Sequence, residues 1–405
     1  MRTRTILTLA LTYALLGILM NSVGTVILQS ILHFGATKLM GSTLEACKDL
    51  SVVVASFLLV AAVPVFGYRR SLVAVLALMA VACAFASFAT GFVAMQLLFV
   101  VTGIGFGITK IATYSTIGLI ARDPADHASI TGFVEGVFTV GVLAGAWLFG
   151  WFIEGGDWLR VYWVIAALCA LGALSWLTIP LDEREAVVGP ATGSSAAGWK
   201  EMLSLAALPA TVAVLAVLFL YVLIEQGVGT WLPTFNREIL HLPAAMSVQM
   251  SSILIASLAV GRLLSGFVLR RVAWLPVLLA CLAALAVLVL ASLPLAEGTH
   301  PRGGIGWANA PFAAYLFPLI GLFLAPIYPT VCSIALSALP RHRHPGMIGL
   351  IVIFSALGGT IGSFIVGLLF QTLPGTSAFY ALLLPILLVA LLLPLVRRRI
   401  ERTGA

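Results

Sequence analysis

The sequence predicts an all-α membrane protein with twelve transmembrane helices in two six-helix pseudo-repeats. Of its 405 residues, 61% are hydrophobic and only 9% are charged, whereas a soluble globular protein carries about 25% charged residues. No soluble fold could cover so much apolar surface, so lipid must be the main solvent. The number of apolar runs and the similarity between the two halves of the chain predict the arrangement of the helices.

The apolar runs are counted against the thickness of a membrane, since a helix needs about 20 apolar residues to cross the hydrocarbon core. The first run follows Arg2 and Arg4 and lacks an A-x-A cleavage site, so we interpret it as an uncleaved first span. The twelve predicted spans, numbered in chain order, are 6–30, 43–66, 71–89, 93–120, 129–152, 161–180, 205–232, 246–269, 274–295, 309–338, 347–372 and 376–396.

The longest polar interruption is the segment 181–204, which is rich in Gly, Ala and Ser. This composition predicts a flexible cytoplasmic linker. It separates an N-terminal six-helix bundle, residues 1–180, from a C-terminal six-helix bundle, residues 205–405.

The positive charges lie mainly on one side of the predicted membrane. Loops on the side of the N-terminus hold fifteen Lys and Arg residues, and the opposite loops hold four. The positive-inside rule therefore places both termini in the cytoplasm, as expected for a protein of the bacterial inner membrane. This asymmetry accounts for the pI near 9.4 without a nucleic-acid partner. We expect a monomer surrounded by lipid.

The two halves resemble each other when the sequence is shifted along itself. At an offset of 201, Ser56 meets Ser257, and Arg69–Arg70 meets Arg270–Arg271. At an offset of 217, four glycines of span 5 meet four glycines of span 11. The pairs are Gly132 with Gly349, Gly141 with Gly358, Gly145 with Gly362, and Gly150 with Gly367. Two parallel six-span repeats are typical of a large class of secondary transporters.

Six ionisable residues inside predicted spans stand out, since such groups are costly there and mark functional sites by default. Four are acidic and two are basic, which gives a net charge of −2. Excess carboxylate fits proton coupling, because a conformational change can switch a buried carboxyl group between its two protonation states. The acids predicted to couple protons are Asp49, Glu135, Glu225 and Glu45.

The charges on span 2 form a group of their own. Glu45, Lys48 and Asp49 share one helical face because their spacing is i, i+3, i+4, so we expect Lys48 to pair with Glu45. Glu45 lies near the outer end of the predicted span and is expected to be hydrated.

Lys110 lies near the middle of span 4, too deep for its ammonium to reach water easily. It must therefore pair with an acid such as Glu135, bind an anionic solute, or lose its proton. Its counterpart in the second repeat is Tyr328.

The end of span 7 combines Glu225 and Gln226 with nearby glycines and Pro233. This pattern predicts a broken or bent helix that lines a cavity. Acid and amide groups beside aromatic rings suit a hydroxyl-rich ligand. The predicted substrate-binding residues are Lys110, Gln226, Trp231, Tyr221, Tyr328, Asn21 and Tyr114.

Several motifs are absent from the sequence. It contains no G-x-x-x-x-G-K-[ST] phosphate-binding loop, so a proton gradient is a better candidate energy source than ATP. It also lacks a nucleophile elbow, an HExxH motif and a Cys/His cluster with metal-ligand spacing. We therefore expect neither an enzyme, nor a cofactor, nor a metal site.

The chain as a whole resembles the major facilitator superfamily. The stretch from Gly261-Arg262 to Arg270-Arg271 is similar to the basic loop motif of that superfamily, and the first-half copy before Arg69-Arg70 is degenerate and lacks the usual acidic residue. The resemblance implies a loop that latches the two halves on the cytoplasmic side. Its expected residues are Arg69, Arg70, Gly261, Arg262, Arg270 and Arg271.

Within the superfamily, four stretches resemble the fucose–proton symporter-like branch, which includes TsgA-type proteins. They are Tyr13–Gly17, Gly107–Lys110, Tyr221–Pro233 and Ile327–Thr330. The resemblance implies uptake of a neutral sugar with a proton. The sugar symporters have a carboxylate in span 4 where this chain has Lys110, which suits an acidic solute equally well.

The leading hypothesis is a proton-coupled symporter that moves a sugar or sugar acid by alternating access. An alternative is an exporter of drugs or other amphipathic compounds by proton antiport. Span 5 lacks the Gly-Pro pair of proton antiporters, since Val142 follows Gly141. A third hypothesis is a membrane receptor or scaffold without transport activity.

Overall fold

The computed structural model describes residues 2–59, 62–181, 202, 204–300, 304–340, 343–373 and 376–403. Across these residues the regular structure is helical and contains no strand. The helices form two compact units: unit 1 is Met1–Ala36 with Thr43–Thr192, and unit 2 is Thr37–Ser42 with Gly193–Ala405. Most of the predicted linker 181–204 lies outside the described residues.

Unit 1 contains the first six predicted spans. Span 1 is two helices, α1 and α2, and span 2 is α3 followed by the short α4. The helices are α1 (Arg2–Met20), α2 (Val23–Phe34), α3 (Lys38–Leu59, whose first turns cluster with unit 2), α4 (Ala62–Phe66), α5 (Tyr68–Ala86), α6 (Phe92–Ile120), α7 (Pro124–Glu154) and α8 (Val161–Leu177).

Unit 2 contains the other six predicted spans. Spans 8, 10 and 12 are each divided into shorter helices. The helices are α9 (Pro209–Glu238), α10 (Ala244–Met250), α11 (Ser252–Val268), α12 (Trp274–Glu297), α13 (Ala313–Leu316), α14 (Ile320–Leu324), α15 (Ile327–Ser337), α16 (His344–Thr372), α17 (Ser377–Tyr380) and α18 (Leu383–Thr403).

The transmembrane count of the sequence analysis is confirmed. Eleven helical segments of the described chain are long and apolar enough to cross a membrane. The remaining predicted span corresponds to α3, whose first twelve residues contain the charges of Lys38, Glu45, Lys48 and Asp49. These charges interact within the protein, so α3 completes the set of twelve.

The expected break in span 7 is wrong. Helix α9 runs without interruption to Glu238, with Pro233 inside it. A proline removes one backbone hydrogen bond, and neighbouring helices can compensate for that loss in a membrane protein. The first span is interrupted instead, because α1 ends at Met20 and α2 begins at Val23. At this break, Asn21 donates its side-chain amide to the Gly17 carbonyl at 3.2 Å.

Glycines fix the closest helix contacts in each unit. A Cβ at Gly141 of α7 would lie 2.4 Å from the Ala14 carbonyl oxygen of α1. A Cβ at Gly358 of α16 would lie 2.4 Å from the Phe219 carbonyl oxygen of α9. Small residues permit this close backbone approach. The same contact therefore recurs in both units, which confirms the pseudo-repeat at the offset of 217.

The sequence analysis aligned span 2 with span 8 by a shift of 201 residues, and this shift is wrong by five residues. A Cβ at Gly103 would lie 2.3 Å from the Lys48 carbonyl oxygen. In the second repeat, a Cβ at the corresponding Gly321 would lie 2.7 Å from the Leu254 carbonyl oxygen. Lys48 thus corresponds to Leu254, which is an offset of 206. The matched arginines are not structurally equivalent, because Arg69 and Arg70 lie in the first turn of α5 whereas Arg270 and Arg271 lie between α11 and α12.

Candidate functional site

The charged residues of α3 form a buried cluster in unit 1. The Lys48 ammonium lies 2.5 Å from a Glu45 carboxylate oxygen and 3.5 Å from an Asp49 carboxylate oxygen. The side chains are 1% exposed for Glu45, 6% for Lys48 and 14% for Asp49. The predicted Glu45–Lys48 pair is therefore confirmed, but the expected hydration of Glu45 is wrong. Two carboxylates share one ammonium, so the ionised cluster carries a net charge of −1.

A second polar group of unit 1 joins α6 to α7. The Tyr114 hydroxyl donates to the Glu135 carboxylate. The Tyr13 ring of α1 packs edge-on against Tyr114, with 6.4 Å between ring centroids, and against Phe138 at 5.4 Å. A single tyrosine–carboxylate pair is thus set against aromatic rings inside the bundle. Tyr13 was part of a resembling sequence stretch, but its own residue type gave no sign of this contact.

Lys110 lies one helical turn before Tyr114 on the same face of α6, because residues spaced i, i+4 are neighbours. Its side chain is exposed and makes no ion pair or hydrogen bond with any residue in the described part of the chain. The suggested pairing of Lys110 with Glu135 is wrong, since Tyr114 holds Glu135. Gly103 and Gly107, earlier on this face of α6, pack closely on α3. Unit 1 therefore presents a cation next to a hydrogen-bonded carboxylate.

Unit 2 contains a polar group built from the spans that the sequence singled out. Tyr221 donates its hydroxyl to Glu225 at 3.0 Å, one turn along α9. Its ring packs against Tyr328 of α15 with 5.6 Å between centroids. The Tyr328 hydroxyl lies 3.3 Å from the Ser355 hydroxyl of α16. Ser355 is one of two serines in an apolar helix, so nothing in the sequence pattern could have identified it.

Arg262 belongs to this group of unit 2 rather than to a loop latch. It lies inside α11, six residues before the helix ends at Val268, which is about 9 Å at 1.5 Å per residue. Its exposed guanidinium interacts electrostatically with Glu225 and Tyr221. The loop motif misplaced Arg262, because α11 continues for six residues beyond it.

The remaining expected latch residues differ in their surroundings. Arg69 donates to the carbonyl oxygens of Trp176 at 2.9 Å and Leu177 at 2.5 Å, so it joins α5 to the end of α8 within unit 1. A Cβ at Gly261 would lie 2.3 Å from the Leu322 carbonyl oxygen, so this glycine is a packing residue. Both residues therefore make contacts within their own unit, and the latch stays a prediction. Three further arginines of this set are exposed, namely Arg70, Arg270 and Arg271.

The predicted role of Trp231 in substrate binding is wrong for this conformation. Its ring is fully buried, and its indole N–H donates to the Ser363 carbonyl oxygen at 2.8 Å. A Cβ at Gly367 would lie 2.4 Å from the ring. Trp231 therefore packs the core of unit 2, while Gln226 is half-buried near Glu225 and Asn21 is exposed at the break in span 1.

The sequence profile of the Major Facilitator Superfamily matches residues 9–307 of this chain. The chain belongs to the major facilitator superfamily. No curated protein sequence matches it significantly.

Solved structures of the superfamily share its fold. A crystal structure of the nucleoside transporter NupG has a TM-score of 0.74 and 15% sequence identity, covering 98% of each chain. An inward-facing bacterial homologue of the human lysosomal transporter Spinster has a TM-score of 0.71 and 16% identity, covering 100% of this chain and 97% of the homologue. The D-xylose–proton symporter has a TM-score of 0.68 and 13% identity, covering 97% of each chain. This facilitator-family protein is therefore a membrane transporter and not an enzyme.

Proposed function

We propose that the protein is a secondary active transporter that moves a sugar or sugar acid together with protons by alternating access. One observation carries the proposal. Each unit holds an intramembrane carboxylate that accepts a hydrogen bond from a tyrosine, with aromatic rings beside it: Glu135 with Tyr114, and Glu225 with Tyr221. Such a carboxylate can accept a proton or a solute hydroxyl, and the neighbouring rings can stack on the apolar face of a sugar.

The Lys110 ammonium, which has no ion pair among the described residues, extends the proposal to acidic sugars. It lies on the same face of α6 as Tyr114 and is exposed. An intramembrane cation without a protein partner is costly, and a solute carboxylate would compensate its charge. A sugar acid would then pair its carboxylate with Lys110 and its hydroxyls with the acid–tyrosine pair.

The relatives support a small hydroxyl-rich solute. One neighbour is named as a nucleoside transporter and another as a D-xylose–proton symporter. A nucleoside contains a pentose, and xylose is one. The sequence resemblance to the fucose–proton symporter-like branch points to the same class of solute and to proton coupling.

The charge asymmetry of the loops supports the location that we propose. Fifteen Lys and Arg residues on the side of the termini, against four on the opposite side, favour cytoplasmic termini in a bacterial inner membrane. We propose that a monomer is the working unit, since each unit of one chain carries its own polar group.

Uptake into proteoliposomes tests the proposal. With the medium more acidic than the lumen, labelled xylose, uridine and glucuronate are offered separately. We expect at least one of them to accumulate, and a protonophore to abolish the accumulation. Glu135→Gln and Glu225→Gln are expected to prevent accumulation, while Glu154→Gln, at the exposed end of α7, is the matched control. If none accumulates and an amphipathic dye is expelled instead, the protein is an exporter.

A further inference from the structure

The buried cluster of α3 contains a cation that belongs to the protein itself, the Lys48 ammonium. A lysine ammonium has three N–H donors and no acceptor. Three oxygen atoms surround Lys48 Nζ: one of Glu45 at 2.5 Å, one of Asp49 at 3.5 Å, and the Met20 carbonyl oxygen at 3.5 Å. The number of oxygens therefore equals the number of donors.

The third oxygen comes from the break in span 1. Met20 is the last residue of α1, and α2 begins at Val23. The C-terminal end of a helix carries a partial negative charge. In transporters with discontinuous helices, such ends and their backbone carbonyls coordinate a coupling cation. The Lys48 ammonium reaches this position from α3.

The backbone around Lys48 holds the ammonium in place. The Lys48 carbonyl oxygen lies against Gly103 of α6. If Gly103 carried a Cβ atom, that atom would lie 2.3 Å from the Lys48 carbonyl oxygen and 2.8 Å from the Ser51 Cβ. The contact leaves no room for α3 to turn about its axis without separating from α6. The packing of two neighbouring helices therefore fixes the backbone from which the Lys48 side chain extends to the break in span 1.

A simple structural ion pair would not need this arrangement. Burying one lysine requires one carboxylate, and even a well-formed buried pair adds little stability over apolar residues of the same size. Here a second carboxylate and a helix end converge on the same ammonium, and the cluster keeps a surplus negative charge. Two carboxylates and a backbone carbonyl are the oxygen ligands that a small hard cation takes.

We propose that the Lys48 ammonium is a tethered cation that fills an alkali-cation site formed by Glu45, Asp49 and the Met20 carbonyl. Lys48 thereby makes unit 1 independent of Na⁺ and determines which ion can couple to transport. The binding part of this inference stands by itself, whereas its consequence for coupling rests on the proposed function. Removing the ammonium should leave a vacancy that accepts Na⁺ or Li⁺ from solution.

The test measures the melting temperature of the purified full-length protein in NaCl, LiCl or choline chloride at equal ionic strength. The wild-type protein should melt at the same temperature in all three salts. Lys48→Ser should melt lower in choline, and NaCl or LiCl should raise its melting temperature saturably by about 5 °C, since a ligand that binds only the folded state stabilises it. The matched control Glu45→Gln/Lys48→Ser/Asp49→Asn should not respond.

Two results would overturn the inference: a folded Lys48→Ser protein whose melting temperature does not change with Na⁺ or Li⁺, or an equal response from the triple variant.

If Lys48→Ser is not recovered in any salt, Lys48→Met is compared with Glu45→Gln/Lys48→Met. Recovery of folded protein in the double variant supports the inference, because the combined charge of two carboxylates without a cation then causes the damage. Equal failure of both overturns it. If the protein takes up no solute in proteoliposomes, the proposed function is refuted. The expected dependence of the melting temperature on Na⁺ and Li⁺ does not change in that case.

Discussion

Lys110 is the residue on which the proposed selectivity for an acidic solute depends. Its ammonium is exposed on α6, one turn from the Tyr114–Glu135 pair, and makes no ion pair within the described residues. Because no group in the described part of the chain pairs with it, its removal should affect binding of the solute and not the stability of unit 1.

We therefore expect Lys110→Ala to reduce uptake of a sugar acid at least tenfold, which corresponds to about 1.4 kcal/mol. The melting temperature should change by no more than about 2 °C, as for a surface substitution. Arg160→Ala is the matched control, since the Arg160 side chain is 73% exposed and pairs only at the surface. Uptake at the wild-type rate in Lys110→Ala would show that the lysine has no part in binding.

The sequence identified most polar residues of the site but not their partners. Glu135 and Lys110 were chosen from the cost of burying charge, and both lie in the site region. Their suggested pairing was wrong because Tyr114, one turn beyond Lys110 on α6, donates to Glu135 instead, a choice of partner that an isolated sequence does not reveal. Trp231 was misjudged for a similar reason: its indole N–H finds its partner on α16.

At the scale of single helices, two glycines of α7 offer a matched comparison. A Cβ at Gly141 would lie 2.4 Å from the Ala14 carbonyl oxygen, whereas a Cβ at Gly136 meets nothing within 4 Å. Gly141→Ala should destabilise the protein by about 1–3 kcal/mol through overpacking. Gly136→Ala should be neutral or stabilising by up to about 1 kcal/mol, because alanine favours the helix.

Thermal unfolding in detergent checks this prediction. An equal change in melting temperature for the two variants would contradict the close α1–α7 contact. Equivalent behaviour of Gly358→Ala on α16, which faces the Phe219 carbonyl oxygen at the same 2.4 Å, would show that the contact is shared by the two repeats.

The start of α7 is held to α1 by an ion pair. The Arg2 guanidinium, together with the backbone N–H of Arg122, holds the pKa of Asp126 below its usual range. A depressed pKa contributes stability that is present above the ordinary carboxyl pKa of about 3.9 and is lost as the pH falls through the lower pKa of the folded state. Asp126→Asn should therefore melt below the wild-type protein at pH 7.

Melting temperatures between pH 7 and pH 3 check this prediction. The difference between the wild-type protein and Asp126→Asn should shrink toward pH 3, and Asp126→Asn should have no effect at any pH when Arg2→Gln is also present. A constant difference across the pH range would mean that Asp126 acts by packing and not by its charge.

Helix positions could be predicted from the sequence, but helix continuity could not. Apolar run length defines each span, so all twelve predicted runs correspond to observed helical segments. Proline and glycine suggested a break near Pro233, yet α9 is continuous. The actual break at Asn21–Ser22 contains neither residue, and it depends on side-chain bonds to the Gly17 and Leu19 carbonyls.

At the scale of the whole molecule, two units repeat one plan of helices. The glycine contacts of α7 on α1 and of α16 on α9 match, and their sequence spacing made this repeat recognisable. The polar residues do not repeat: Lys110 corresponds to Tyr328, and Lys48 corresponds to Leu254. The shared plan accounts for the facilitator fold, and the differences between the units carry the proposed selectivity and ion coupling.

Solute-driven proton movement tests the proposed mechanism most directly. Proteoliposomes with a pH-sensitive dye in the lumen, and no imposed gradient, receive the solute that accumulated in the uptake experiment. We expect the lumen to acidify as the solute enters, and to remain at constant pH in the Glu135→Gln/Glu225→Gln variant. Entry of solute into wild-type vesicles without acidification, or with alkalinisation, would contradict proton symport.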